Sequence, residues 1–481
     1  MIVFDVGTTG TRTVVFDING KEIIKVYEEY PETKQPVGVS EQDPNIWWNA
    51  IKNTCSIVSK KVNPEDIIGI SASFARATVT IISKSGKILH PALTWMDDRE
   101  LTDSKGYNEE LGWRNSIPKL LWLKKNKPDL FDKASKIISP DSYIYLKLCG
   151  EFVTDPTNGI NGIMNIKTLQ WDDKLAEAYE IPKYLWPEIH TPGEIIGELS
   201  TEAADVLGLR VNTPIVLGGG DQQCAALGQG VIEKGQAKST QGTGTFVDYV
   251  IDEPIRPAGD IPIFTFPHVI KGKWVLEGVM PGTGTMFQTY AKNFSQLQIK
   301  QSEELNTNVY DILTQEARDA PPGSNGLLFL PLYIFRKGTI HGLGWNHNRS
   351  HFTRAIMESA ALSAQMYLNL LEGIGGAKTT EIRSDGGAMN SDLWAQIFAD
   401  VMGKKILIPE IKDGAALGAA ILGFYGLKKY NNINAAIEKM VRVEKEFNPI
   451  KDNSKVYKKL NRIFMSALID ANDKKRVTKD L

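Results

Sequence analysis

Two distant stretches of this sequence follow one short plan. The β-branched run Ile2 to Val6 leads into Gly7-Thr8-Thr9-Gly10-Thr11, after which Arg12 to Asp17 reads as a second strand. The segment Gly235 to Thr240 leads into Gln241-Gly242-Thr243-Gly244-Thr245, after which Phe246 to Ile251 again reads as a strand. Strand, Gly/Thr tip, strand is the pattern of a β-hairpin with a polar turn. Its recurrence near the middle of a 481-residue chain predicts two similar halves that meet near Gly230. Glycine and threonine are also the usual residues of tight tips, so the two tips alone leave chance resemblance open. The rest of the chain weighs on the side of duplication.

In the first half, Asp43-Pro44 offers a cap and a first helical position for an amphipathic stretch from Asn45 to Lys60. Strands are predicted over Ile67 to Ser71 and Val79 to Ser83, and helices over Ile117 to Asn126, Pro128 to Ala134 and Pro140 to Cys149. A loop region rich in Pro, Trp and Asp runs from Thr154 to Pro192, and strand signal returns at Pro214 to Leu217. That strand enters Gly218-Gly219-Gly220-Asp221-Gln222-Gln223 and then an Ala-rich helix, Cys224 to Leu227. The second half repeats the alternation. Strands are expected at Trp274 to Glu277, Glu381 to Ser384 and Lys405 to Ile408, and helices at Thr285 to Asn293, Arg354 to Leu371, Leu393 to Met402 and after Asp413. Strands alternating with helices predict an α/β architecture.

Composition excludes several classes. Lys and Arg total 55 against 57 Asp and Glu, so the net charge of −2 builds in no general attraction to a polyanion, and no nucleic-acid partner is expected. The apolar stretches Gly326 to Phe335 and Ala415 to Leu427 fall short of the ~18–20 residues that cross a bilayer, so no membrane partner is expected either. Cys55, Cys149 and Cys224 lack CxxC spacing, and no basic and apolar leader opens the sequence. A reducing cytoplasm is the expected compartment.

Four Gly-rich segments stand at strand ends: Asp5 to Thr11, Gly218 to Asp221, Gly242 to Gly244 and Asp385 to Ala388. None matches GxxxxGK[ST] or a strand-borne GxGxxG, which disfavours a P-loop and a dinucleotide fold, and hence a dehydrogenase. Each could be an ordinary turn, but four together suit phosphate, because backbone N–H groups can close on its oxygens and hydroxyls add donors. An acidic residue beside a phosphate repels it unless a cation lies between, so Asp5 suggests Mg²⁺ held mainly through water. Asp221 suits a general base on a substrate hydroxyl, with a helix N-cap as the competing reading. The six histidines show no ligand spacing and are expected on the surface or in loops, and no GxSxG elbow is present. Trp95, close to Asp97 and Asp98, is either a core residue or a stacking face for a polyol.

The assembled motifs resemble the FGGY family of carbohydrate kinases. The pieces occur in family order: Asp5 to Thr9, Glu41 to Pro44 with Trp47, Leu93 to Arg99, Thr154-Asp155 with Asn158, Gly220 to Gln223, Gly242 to Gly244, Gly326 to Pro331, Asp385 to Ala388, and Gly414 to Ala420. The resemblance implies two ribonuclease-H-like (actin-like ATPase) domains flanking a central cleft. Residues 1–230 would be the sugar-binding domain with the catalytic base, and 231–481 the ATP-binding domain. By position, Asp221 resembles that base. Asp5, Thr8, Thr9 and Arg12 match the tip around the transferring phosphate and its Mg²⁺, with Asp5 and Asp221 on the metal side. Thr243, Gly284, Gln288, Gly387 and Asn390 resemble ATP-binding positions. Arg76, Trp95, Asp221, Gln222 and Phe246 resemble the substrate set of glycerol kinases. Two parts of that pattern are missing, because Ala77 replaces the acidic residue after the arginine and Ser116-Ile117-Pro118 stands where a Tyr is expected before Lys119-Leu120. The Gln-Met-His signature of xylulose kinases is absent as well, its positions being Ala75-Arg76-Ala77.

The expectation is an ATP-dependent kinase for a ketose, such as xylulose or ribulose, or a polyol longer than glycerol. Glycerol kinase proper is the alternative, and a non-catalytic actin-like ATPase or sugar sensor is the alternative of another class. The presence of Asp221 favours the enzyme. A homodimer is compatible with the resemblance, though no residue pattern sets the oligomeric state.

Overall fold

The β-branched residues of the N-terminus form the hairpin that their alternation requires. Ile2–Val6 pairs antiparallel with Gly10–Phe16, which pairs in turn with Glu22–Glu29. Ile70–Phe74 lies parallel to Ile2–Val6 on its other side, and Pro214–Val216 lies parallel to Ile70–Phe74. The two inner strands are buried at every position, as near-continuous apolar runs in a covered sheet should be. Phe4 and Phe74 are wholly enclosed, and each such side chain contributes about 1.5–3 kcal/mol. Ile195–Glu198 closes this sheet as an antiparallel edge on Pro214–Val216. The computed structural model describes residues 1–32, 34–99, 116–257, 263–332 and 337–477; Phe335, where one apolar stretch ends, lies outside them.

The second sheet repeats the first. Ala237–Gln241 pairs antiparallel with Thr245–Ile251, which pairs with Trp274–Met280, while Glu381–Asp385 and Lys405–Pro409 continue in parallel on the other side. Both sheets thus place their first five core strands in the spatial order third, second, first, fourth, fifth. Each adds an antiparallel strand beyond the fifth, here Val443–Phe447. The second sheet also gains Ile263–Pro267 outside its third strand. Beneath the second sheet the helix Arg349–Gly375 runs longer than its predicted core and buries Ile356, Ala360 and Leu368.

The halves join through two crossing helices, Asp221–Gly228 and Gly414–Gly426. Their backbones touch: a Cβ at Gly228 would run into the Gly414 carbonyl, and one at Gly418 into that of Cys224. Only glycine permits this approach.

Several boundaries differ from the sequence reading. The strand expected from Ile67 begins at Ile70, because Ile67 closes a 3-10 turn over Pro64–Asp66. The predicted loop from Thr154 to Pro192 contains the short helices Pro156–Gly159 and Asp173–Ala178. Two histidines are buried rather than superficial. His351 sits in the first turn of its helix, paired with the cap residue Asn348. His268 accepts a 3.0 Å bond at Nδ1 from the Ile270 N–H and turns Nε2 to the Val231 carbonyl at 3.0 Å. Burial pushes the His268 imidazole down to about 4.

Candidate active site

The first tip is shaped by polar contacts at both ends. Asp5 lies buried one residue before the end of its strand, with Oδ1 accepting a 2.6 Å bond from Ser73 Oγ and Oδ2 lying 2.9 Å from Arg12 Nη1. Hairpin register explains the pair, since Asp5 stands directly opposite Arg12. Burial pushes the Asp5 carboxyl up, Arg12 and Ser73 draw it back, and Asp413 and Asp221 push it further. Arg12 lies over the Tyr27 ring and 3.6 Å from Asp413, which also holds Lys25 at 2.7 Å. Asp413 belongs to the second half, so the two halves meet here in a chain of alternating charge. Thr8 accepts at Oγ1 from the Trp95 indole N–H at 2.7 Å, and its carbonyl accepts from the Gln42 amide at 2.6 Å. Thr9 is exposed at the turn.

The acceptor-side candidates start from the glycine run. Gly219–Gly220 continues the sheet beside Ser73 and Phe74. The Gly218 N–H donates to the Tyr145 hydroxyl at 2.9 Å, and the Gly220 N–H to Thr157 Oγ1 at 2.6 Å. The Thr157 hydroxyl donates to Asp155. Burial, reinforced by Asp141, pushes the Asp155 carboxyl up to about 7. Gly220 is the helix cap and Asp221 is the first helical residue, its carboxylate accepting only the adjacent Gln222 N–H in that turn. The helix-cap reading of Asp221 therefore fails.

Arg76 lies 3.5 Å from Asp221 through Nε, binds Glu277 through Nη2 at 2.8 Å, and stacks over Phe266. Arg76 Nε and Nη1 are buried without a hydrogen-bond partner. Burial lifts Glu277 to about 7, against the pull of Arg76. Gln222 Oε1 accepts from Lys238 Nζ at 2.9 Å. Phe246, half-buried, stands opposite Thr240 on the second hairpin.

Nucleotide candidates surround the second tip. The Thr243 carbonyl accepts the Gly284 and Thr285 N–H groups at 3.1 and 3.2 Å, so the helix Thr283–Phe294 begins on the tip. A Cβ at Gly284 would strike the Gly242 carbonyl, and one at Gly386, whose φ is 94°, would strike the backbone of Gln241. Gln288 lies one turn beyond Gly284, and Gly387 and Asn390 lie on the turn carried by Gly386; all three are exposed. The first N–H groups of that helix are spent on the tip, so what the helix start adds beside the second tip is the positive end of its dipole, a setting favourable to phosphate.

The structure thus groups Asp5, Thr8, Thr9, Arg12 and Trp95 at the first tip. Arg76, Asp221 and Gln222 gather between the halves, and Thr243, Gly284, Gln288, Gly387 and Asn390 surround the second tip. Glu277, Asp413 and Thr157 were absent from the sequence candidates. Among the described residues no cluster of three His, Cys, Asp or Glu side chains forms a metal cage, and no helix is long and apolar enough to cross a membrane.

Two sheets of matching strand order, joined by crossing helices and each bearing a Gly/Thr tip, define a two-domain protein of the actin-like ATPase fold. Residues 1–228 match the N-terminal domain, and residues 237–427 the C-terminal domain, of the FGGY family of carbohydrate kinases. The chain belongs to that family. It is 30% identical to a gluconokinase of Bacillus subtilis (strain 168), with 97% of this chain and 95% of the relative covered. It is also 30% identical to a glycerol kinase of Thermococcus onnurineus (strain NA1), with 93% of each covered. The ligand-bound crystal structure of a xylulose kinase from Lactobacillus acidophilus superposes with a TM-score of 0.87 at 26% identity, with 97% of each chain covered. The protein is an ATP-dependent kinase that phosphorylates a hydroxyl of a sugar or polyol.

Proposed function

We propose that the acceptor is a ketose or polyol longer than glycerol, bound in residues 1–230 with Asp221 as general base, while residues 231–481 hold ATP. The reading rests on one observation: small side chains, Ala77 and Ser116, stand at the two places where the glycerol-kinase pattern is broken, and they line one small cavity of about 20 Å³, room for a water-sized group and not for the acceptor itself. Xylulose and ribulose fit this class. Glycerol remains the second reading, favoured by Phe246 beside the second tip and by the Asp221-Gln222-Gln223 run.

In this reading Asp221 takes the proton from the attacking hydroxyl as its oxygen bonds the γ-phosphorus and the bond to ADP breaks. Arg76, 3.5 Å away, pairs with that carboxylate and holds it in place. Thr8, Thr9 and Arg12 hold the transferring group at the first tip. Thr243, Gly284, Gln288, Gly387 and Asn390 hold the nucleotide, and Arg76, Trp95, Gln222 and Phe246 orient the acceptor. Asp5 and Asp221 would hold Mg²⁺: the charge of Asp221 reaches Asp5 and pushes its carboxyl up, and Asp5, with both oxygens already bonded, would hold the ion through water. The ion, when bound, neutralises phosphate charge. Three free thiols, two of them buried, suit a reducing cytoplasm.

Initial rates with D-xylulose, D-ribulose, erythritol, D-gluconate and glycerol test the acceptor assignment. The expected result is a clear preference for a ketose or polyol of four or more carbons. Turnover confined to glycerol defeats the enlarged-acceptor reading, and turnover confined to gluconate replaces the ketose and polyol class with an acid sugar.

A further inference from the structure

Lys238 is a buried cation that the phosphoryl-transfer chemistry leaves unused. It stands on Ala237–Gln241, wholly enclosed, and its ammonium meets three acceptors: Asp248 Oδ2 at 2.8 Å, Gln222 Oε1 at 2.9 Å and Thr240 Oγ1 at 3.3 Å. An ammonium carries three N–H donors and no lone pair; Gln222 and Thr240 accept hydrogen bonds from it, and Asp248 faces it as an ion-pair partner. Burying such an ion is costly without a counter-charge. Asp248 supplies it from the directly opposite position on the neighbouring strand. Burial pulls the Lys238 ammonium down, but Asp248 and Asp385 outweigh it and keep the group charged.

Of the three contacts, the one that leaves the second sheet is Gln222. A carboxamide has an acceptor end and a donor end, and an ammonium can face only the acceptor. Gln222 Oε1 is therefore fixed toward Lys238. The Nε2 donors turn away, on a side chain that is half exposed beside Asp221 and bonds through Nε2 to none of the described residues. A neutral or flexible partner at position 238 would let the amide present either end.

We propose that Lys238 is a positioning residue for acceptor recognition. It locks the Gln222 amide with its donors outward, so that the site offers a proton acceptor at Asp221 and a proton donor at Gln222 to neighbouring oxygens of the sugar. The inference rests on the reading of Asp221 and Gln222 as acceptor-side residues.

The test uses the full chain with ATP and whichever of the five acceptors above is turned over best. Lys238→Met alone would strand the Asp248 carboxylate, so the paired variant Lys238→Met/Asp248→Asn removes both charges together. Gln222→Ala should raise the acceptor KM about tenfold, the paired variant by a similar factor, and their combination no further. The ATP KM should stay within about twofold throughout, a split that general loosening of the sheet would not produce. Additive increases, or an unchanged acceptor KM in the paired variant when Gln222→Ala raises it, overturn the role of Lys238. An unchanged acceptor KM in Gln222→Ala overturns the acceptor-side reading itself. Gln222→Glu supplies the arm that does not depend on refolding the pair, since a carboxylate satisfies Lys238 and carries no donor. A rise in acceptor KM of about tenfold supports the proposal, and a value near wild type contradicts it.

Discussion

The two Gly/Thr tips share strand order and hairpin geometry, but they are built with different chemistry. The first is set by side chains: Asp5 faces Arg12 and Ser73, Arg12 reaches Asp413, and Thr8 carries Trp95. The second is set by backbone: Gly284 and Gly386 close on Gly242 and Gln241, and Thr243 receives two helix N–H groups through its carbonyl. Charged side chains can bind, release and neutralise, whereas a glycine-lined backbone provides a fixed cradle. A duplicated fold that transfers phosphate has use for one tip of each kind, and in the proposed reading the first half handles the mobile charge and the second the constant part of ATP.

Substitutions break this division in separable ways. Away from Asp221, the largest effect is expected in the second half, where Gly386→Val places a side chain against the Gln241 backbone at a left-handed φ. The ATP KM should rise by about a hundredfold with the acceptor KM little changed, read from steady-state kinetics. At the seam, His268 holds the connecting segment through Val231. Its imidazole is held at about 4 against an ordinary 6.5, so native protein binds the proton less readily than unfolded protein. Stability should then be full above pH 6.5 and fall as pH drops toward 4, by about 2–3 kcal/mol. Urea unfolding of His268→Gln should lose that part of the slope. The smallest effect belongs to the first half. Thr157→Val removes the partner of the Gly220 N–H and should lower kcat by about tenfold while leaving the ATP KM in place.

Much of this was legible because the tips are local. Gly7, Thr8, Gly242 and Thr243 announce themselves through turn chemistry, and their flanking strands through β-branched runs. Ile263–Pro267 was missed, since its aromatic residues carry little alternation and a proline ends it. Glu22–Glu29 was missed too, as a half-exposed strand whose outward positions mix Ile23 and Tyr27 with Lys25 and Glu29 and so show no alternation of apolar and polar residues. Glu277 and Asp413 were illegible for another reason. Their partners Arg76 and Lys25 lie 201 and 388 positions away, and no periodicity reports a contact made by folding one half onto the other. The buried state of His268 is likewise a property of the seam.

The central claim is that acceptor chemistry resides on Asp221 and nucleotide binding on the second half. Calorimetric titration of ATP into Asp221→Ala, paired with a turnover assay, tests both parts in one variant. The account predicts transfer reduced by at least about a thousandfold, with ATP affinity within about threefold of wild type. Turnover close to wild type, or ATP affinity lost together with transfer, would contradict it.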